Sequence, residues 1–486
     1  MNLATVIDPH PDEAVALIDR DQPVTYGALR EQIGRLRGAL VELGLAPGDR
    51  VAIASGNDTC FVTGYLAVLG AGLVAVPLNP LSPARELERE LAAVGVRAVI
   101  IGPAGQVSMS GVDPAAVPAL EHRIVAEDLP SGAPTPTVQR EASDLAVLIF
   151  TSGTAGSPKA AMLTHGNLLT NLEQMQAHSG RAQDSNDASL GVLPLFHIFG
   201  LNVVLGLSLY AGSRVVLVER FDPVSDLKAI GRYGVTILPG APAMWTAWAA
   251  LPEANHAAFA TVRLAASGAS KLPLEVAEAC EHRLGITIAE GYGLTEASPV
   301  VTTASGIAAK PGSIGLPLPG ERLRIVDPEG DDVLVGDAGE IWVQGPNVFS
   351  GYWDDQEATA RALTPDGWLR TGDIAVVDDD GALYLVDRAK DLIIVSGFNV
   401  YPAEVEDVIL EHPAVDGCAV VGVAHPSQGE SVKAYVVLAA GQSADEDSII
   451  SFCIERLARY KCPESVTFVE ELPTGLGGKI LRRALR

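Results

Sequence analysis

The stretch Phe150 to Leu163, FTSGTAGSPKAAML, sets two glycines, four hydroxyl residues, a proline and one lysine between apolar runs. Glycine lets backbone N–H groups approach a ligand, hydroxyls add short donors, and lysine adds positive charge, so the composition suits a polyphosphate. It is not a Walker loop, because Pro158 precedes Lys159 and Ala160 follows it, where that motif needs Gly-Lys-Ser/Thr at a helix start. DLAVLIF before the loop and AAML after it read as short strands, so the loop is expected to join two strands. The helix start is expected later, with Thr164 capping HGNLLTNLEQM. Taken alone, such a loop is equally a surface turn.

Other stretches far along the chain offer matching chemistry. EGYGLTEASP holds an aromatic, Tyr292, able to stack on a base, a hydroxyl, Thr295, and a carboxylate, Glu296, able to hold Mg2+. GWLRTGD places Asp373 after a Thr-Gly turn, where a carboxylate can accept both hydroxyls of a ribose. PTGLGGKILRRALR puts Lys479 on a glycine-rich loop. Each has a plain alternative: a turn with a core tyrosine, a hairpin acid, a solvated surface cation. DDDG at Asp378 to Gly381 reads as a hairpin turn, since Val376 stands where a calcium loop needs its first acidic ligand.

These residues need a large scaffold. With 486 residues the chain is expected to form roughly three structural units. Its 48% hydrophobic and 19% charged content is that of a globular protein. A net charge of -26 argues against a general nucleic-acid or anionic-membrane binder, so an ATP site must be locally basic. Cys60, Cys280, Cys418, Cys453 and Cys462 lack metal-ligand spacing and read as buried small residues in a reducing compartment. No secretory pattern opens the sequence, and YLAVLGAGLVAVPL is too short and glycine-broken for an integral membrane segment. A soluble cytoplasmic protein is expected.

Thr25 is expected to cap an amphipathic helix with Leu29, Ile33, Leu36 and Leu40 on one face, ended at Gly44. To about residue 240, apolar strands such as RVAIA, VRAVIIG, ASLGVLPL and SRVVLVERF alternate with helical patterns, an α/β signature. From Gly312 onward, paired strands and tight turns predict a β-rich subdomain. Beyond Arg388 come a strand, DLIIVSG, a helix from Pro402 with Val405, Val408 and Ile409 inward, a strand, VKAYVVL, and a helix capped by Ser443 with Glu446 at capping-box spacing.

In this order the motifs closely resemble the adenylate-forming superfamily of acyl-CoA synthetases, peptide-synthetase adenylation domains and luciferases. The resemblance runs from VTYGALREQIGRL through PLFHIFG and GSIGLPLPG to the terminal lysine loop. It is nearest to the fatty acyl-CoA and aryl-CoA ligases. It implies an α/β fold: a large N-terminal domain of α/β subdomains plus the β-rich subdomain, residues 1–389, and a small mobile α+β C-terminal domain, residues 390–486, hinged near Lys390. Thr151, Ser152, Gly153, Thr154, Gly156 and Lys159 match the family's phosphate loop. Gly291 and Tyr292 fall beside adenine, Thr295 at a phosphate contact, and Glu296 at the magnesium carboxylate. Asp373 and Arg388 match the ribose-binding acid and its neighbouring arginine. Lys479 matches the lysine between substrate carboxylate and α-phosphate, and Gly397 a residue lining the pantetheine tunnel.

His197 in PLFHIFG falls beside the acyl pocket. Ala241 and Met244, Gly268 and Ala269, and Gly293 and Val300 are candidate walls. Phe196-His197 stands where amino-acid-activating members carry an aspartate, which disfavours an amino acid. The implied cofactors are ATP, Mg2+ and coenzyme A, and the implied substrate is a medium or long fatty acid, with an aryl acid the alternative. Loading of a separate acyl carrier protein, or non-catalytic nucleotide and acyl binding, are the rival readings. Three positions depart from the family's habit: Ala155 replaces threonine, Ala160 glycine and Gly477 serine. A lost neutral hydrogen bond costs about 1 kcal/mol, less than a function.

Overall fold

The computed structural model describes residues 1–151, 159–178, 182–306, 310–388, 391, 393–395, 398–425, 429–457, 459–474 and 480–485. The chain divides into two compact units, residues 1–323 with 343–369, and residues 324–342 with 370–486.

The first unit is built on two sheets. In the six-stranded sheet the order is His122–Val125, Ala98–Ile101, Arg50–Ala54, Val74–Leu78, Leu145–Thr151 and Lys159–Thr164. All neighbours run parallel except the last pair, in which Thr151 lies opposite Lys159. The phosphate-loop motif therefore joins two antiparallel strands, as its flanks predict. Residues 51–54 and the strand Val74–Leu78 are apolar and buried on both faces, which is what a parallel sheet covered on both sides requires.

The nine-stranded sheet has a parallel centre: Ile288–Gly293, Leu264–Ser267, Ile237–Gly240, Ala188–Gly191, Arg214–Leu217 and Val15–Asp19. Antiparallel strands close both edges, Gln22–Thr25 on one side and Val300–Thr303 with Leu316–Pro317 on the other.

Thr25 caps the helix Tyr26–Glu42, accepting from Ala28 N, and Leu29, Ile33, Leu36 and Leu40 are buried as expected. Thr164 caps His165–Ala177 in a reciprocal box with Asn167. The glycine-broken apolar stretch becomes the end of helix Thr59–Gly70 and the strand Val74–Leu78. Among the described residues, no helix is long and apolar enough to cross a membrane. All five cysteines are free; four are buried and Cys60 is half-buried.

The second unit holds most of a four-stranded sheet, Arg322–Val326, Ala338–Gln344, Leu369–Val377 and Leu383–Arg388. DDDG is its hairpin turn, with Gly381 at φ 82. A five-stranded sheet follows, centred on the long antiparallel pair Val415–His425 and Gly429–Leu438. Helix Pro402–Leu410 buries Val405 and Ile409, and helix Glu446–Ile454 buries Ile449 and Cys453.

The cap of that last helix differs from expectation. Asp445, not Ser443, takes the position, accepting from Ser448 N at 2.9 Å. Glu446 is thereby at the first helical position, and its Oε1 accepts from Val466 N at 2.8 Å instead of closing a box.

Candidate functional site

The Thr295 and Glu296 side chains sit in a short turn, Thr295–Ala297, between strands Ile288–Gly293 and Val300–Thr303. The turn is bolted down by asparagine amides, which can donate and accept at once. Asn171 makes both bonds to Val300, Nδ2 to its carbonyl at 2.8 Å and Oδ1 from its N–H at 3.2 Å. Asn202 Nδ2 donates to Ser298 O, and Asn347 Nδ2 to Ala297 O, each at 2.8 Å. Ser298 Oγ donates in return to Asn347 O at 2.8 Å. Gly293 has no alternative residue, because a Cβ there would lie 2.2 Å from Pro299 O.

Tyr352 joins two of the sequence-derived residues. Its hydroxyl donates to Glu296 Oε1 at 2.6 Å, and Lys159 Nζ lies 5.4 Å from its ring centroid. The chain from Ser350 to Trp353 runs alongside strand Lys159–Thr164, exchanging backbone bonds with Met162 and Ala160, and that pairing delivers Tyr352. Burial and the Glu296 charge push the phenol pKa far up, so it remains a donor. One carboxylate oxygen is thus held while the carboxylate keeps further lone pairs for a hard cation, with Lys159 as a positive charge nearby.

His197 follows a segment fixed by Asn57, whose amide bonds Gly191 O, Leu193 O and Leu195 N. Its ring packs 4.7 Å from Phe196, keeps an open face, and is crowded enough that burial lowers its pKa. A π-helical stretch, Phe199–Gly206, starts two residues on. Phe199 also reaches Gly268, where a Cβ would lie 2.9 Å from the Phe199 ring, so Gly268 abuts the helix that follows His197. Ala269 takes a left-handed φ of 72. Ala241 and Met244 are buried at the start of helix Pro242–Ala250. Tyr292 is buried, and Gly291 lies opposite Thr303.

In the second unit, Asp373 is 7% exposed and lies opposite Arg388 in the antiparallel register. Its turn is set by Thr371, whose Oγ1 donates to Ile341 O at 2.7 Å and accepts from Asp373 N at 3.1 Å, with Gly372 at φ 69. Farther on, Thr474 bridges Ile480, while Arg482 pairs with Glu406 at 2.6 Å and Asp391 at 3.6 Å. The chain on both sides of the terminal lysine motif is tied in this way.

Ser152, Gly153, Thr154 and Gly156, with Ala155, lie outside the described residues, as do Lys390, Gly397, Gly477 and Lys479. Tyr352 and the asparagines Asn171, Asn202 and Asn347 have no motif of their own. Their signal is only that a buried polar side chain demands a partner.

Residues 3–353 match the family model described as AMP-binding enzyme, and residues 404–479 that of the AMP-binding enzyme C-terminal domain. A feruloyl-CoA synthase of Amycolatopsis sp is 39% identical over 99% of this chain and 96% of its own. A long-chain-fatty-acid–CoA ligase of Bacillus subtilis (strain 168) is 37% identical over 91% of this chain and 86% of its own. The crystal structure of ATP-bound MatB from Rhodopseudomonas palustris superposes with a TM-score of 0.93 at 32% identity, covering 100% of this chain and 98% of that one. With both family models matched in order, the chain belongs to the AMP-binding enzyme family, the adenylate-forming enzymes whose motifs it carries.

Proposed function

We propose that the protein is an AMP-forming acyl-CoA synthetase acting on an apolar carboxylic acid, fatty or aromatic. The observation that carries this is the convergence of Glu296 and Lys159 on Tyr352, beside the strand pair that bears the phosphate-loop motif, in a chain matched along its length by acid–CoA ligases. Similarity to both a feruloyl-CoA synthase and a long-chain-fatty-acid–CoA ligase supports the apolar acid without choosing between the two classes.

The substrate carboxylate attacks the α-phosphorus of ATP, an acyl–phosphate bond forms, and pyrophosphate leaves. Two anions must meet, so positive charge and fixed donors set the rate. Bound Mg2+ supplies charge against the phosphates. Glu296 would hold it through a hard oxygen, with Tyr352 fixing that carboxylate, and Lys159 with Thr151, Ser152, Gly153, Thr154 and Gly156 would embrace the phosphates. Asp373 accepts the ribose hydroxyls, with Arg388 beside it. Lys479 stands between carboxylate and α-phosphate. The resulting mixed anhydride is reactive enough for the coenzyme A thiol to displace AMP, its proton passing to solvent. An acyl carrier protein is the alternative acceptor.

The division at 389/390, with Lys390 as hinge, belongs to this reading: Lys479 and Gly397 serve different half-reactions. Lys479→Ala is expected to cripple single-turnover adenylate formation while sparing thioester formation from supplied acyl-adenylate. Gly397→Leu is expected to do the reverse, by blocking the pantetheine path. Equal loss of both steps in both folded variants contradicts domain alternation.

A further inference from the structure

Beside the asparagine brackets, four buried polar atoms have no hydrogen-bond partner: Glu321 Oε1 and Oε2, Gln174 Nε2 and Asn347 Oδ1. They lie together. A Cβ on Gly345 would meet Glu321 Oε2 at 2.5 Å and Asn347 Oδ1 at 2.6 Å, so these two oxygens border one small space. Gln174, on helix His165–Ala177, and Asn347 are the polar side chains that face the carboxyl, and both amides pull weakly on it from outside full hydrogen-bond geometry.

Both amides have fixed orientations. Asn347 Nδ2 spends one hydrogen on Ala297 O at 2.8 Å, which turns the unpaired Oδ1 to the space that Glu321 Oε2 borders. Gln174 Oε1 accepts from Asn171 Nδ2 at 3.3 Å, which leaves its NH2. The unpaired atoms around Glu321 are therefore one acceptor, Asn347 Oδ1, and one donor, Gln174 Nε2. A carboxylate accepts only, and so meets Asn347 Oδ1 as acceptor against acceptor. A carboxylic acid has an O–H for Asn347 and a carbonyl for Gln174, so one proton lets small side-chain adjustments satisfy all four atoms.

The surroundings favour that proton. Burial raises the Glu321 pKa to about 8 against the opposing pull of the two amides, and no ionised group contributes. The adjacent Arg322 is directed elsewhere, to Gln344 Oε1 at 2.8 Å and over the Trp368 ring.

We propose that Glu321 is a positioning residue, kept as a neutral carboxylic acid, that ties Asn347 to Gln174 and thereby locks together the two brackets on the Thr295–Val300 turn. Asn347 grips that turn at Ala297 and Ser298, and Gln174 reaches it through Asn171 at Val300. The consequence for catalysis rests on the role given to Glu296 above; the protonation does not.

Three measurements on the whole chain test this. Infrared difference spectra of wild type against E321Q at pH 7 should show a buried carboxylic-acid carbonyl band, lost in the variant. A neutral acid whose folded pKa exceeds its unfolded one costs stability as pH rises from about 4.5 to about 8, so the Tm of E321Q minus that of wild type should grow across that window and then level. In single-turnover adenylation at pH 7, E321Q, which keeps one donor and one acceptor, should stay within about threefold of wild type, while E321A falls roughly tenfold. Wild-type adenylation should decline through about pH 8 where that of E321Q does not. Absence of the carbonyl band, parallel Tm profiles, or E321Q as slow as E321A would overturn the proposal. If no variant forms adenylate, the catalytic reading fails, while the spectra and Tm still decide the proton.

Discussion

A phenol hydroxyl 2.6 Å from a carboxylate oxygen, with an ammonium near the same ring, gives Tyr352 a testable part in the chemistry. A hydrogen bond to a charged group contributes about 1.5–3 kcal/mol. Tyr352→Phe removes that bond and keeps the ring against Phe349. Adenylate formation at limiting Mg2+ is expected to fall roughly tenfold or more, with much of the loss recovered at high Mg2+, because the ligand is misoriented and not removed. Glu296→Ala should lose activity that Mg2+ does not restore. Titration of pyrophosphate release against Mg2+ separates the two, and an unchanged Mg2+ dependence in folded Tyr352→Phe refutes the assignment. Glu296 was readable in the sequence because its whole motif is local. Tyr352 was not, because it meets Glu296 across 56 positions and nothing adjacent announces the contact.

At the scale of elements, local signals were legible and distant ones were not. Thr25 and Thr164 announce their helices because a cap acts on the next three residues. Ser443 misled because Asp445, two residues on, offers a stronger acceptor to the same first turn. The docking of the first turn, Leu3–Ile7, was not visible at all: Leu3 N donates to the buried Nδ1 of His165, 162 residues away. That contact carries a pH dependence. Burial, with the Arg140 charge next, lowers the His165 pKa to about 4. Because the folded value lies below the unfolded one, the unfolded state binds more protons between about pH 6.5 and 4, and stability is lost as pH falls through that window. The contribution is at most about 3 kcal/mol. His165→Gln, with an amide oxygen for Leu3 N, should flatten the acid limb of the Tm profile. Identical acid limbs for the two proteins would show that His165 does not titrate with folding.

For the whole molecule, the alternation of strands and helices declared an α/β protein, yet the assembly of the sheets depends on long-range pairing. Val15–Asp19 lies beside Arg214–Leu217, an arrangement that period and propensity do not encode. With a net charge of -26, the proposed polyphosphate site must draw its positive charge locally, the part proposed for Lys159 and Lys479. The order of motifs along the chain carried more of the function than any one loop, since each stretch alone admits a plain structural reading. The most direct measurement is therefore of the reaction itself: ATP, Mg2+ and a panel of fatty and aromatic carboxylic acids, with and without coenzyme A, scored for pyrophosphate, AMP and thioester. Without coenzyme A, an apolar acid should give a pyrophosphate burst near one equivalent per active site. With coenzyme A, it should give continuous turnover in which pyrophosphate, AMP and thioester accumulate equally. Release of ADP and phosphate, pyrophosphate release that ignores the acid, or ATP binding with no pyrophosphate from any acid would contradict the account.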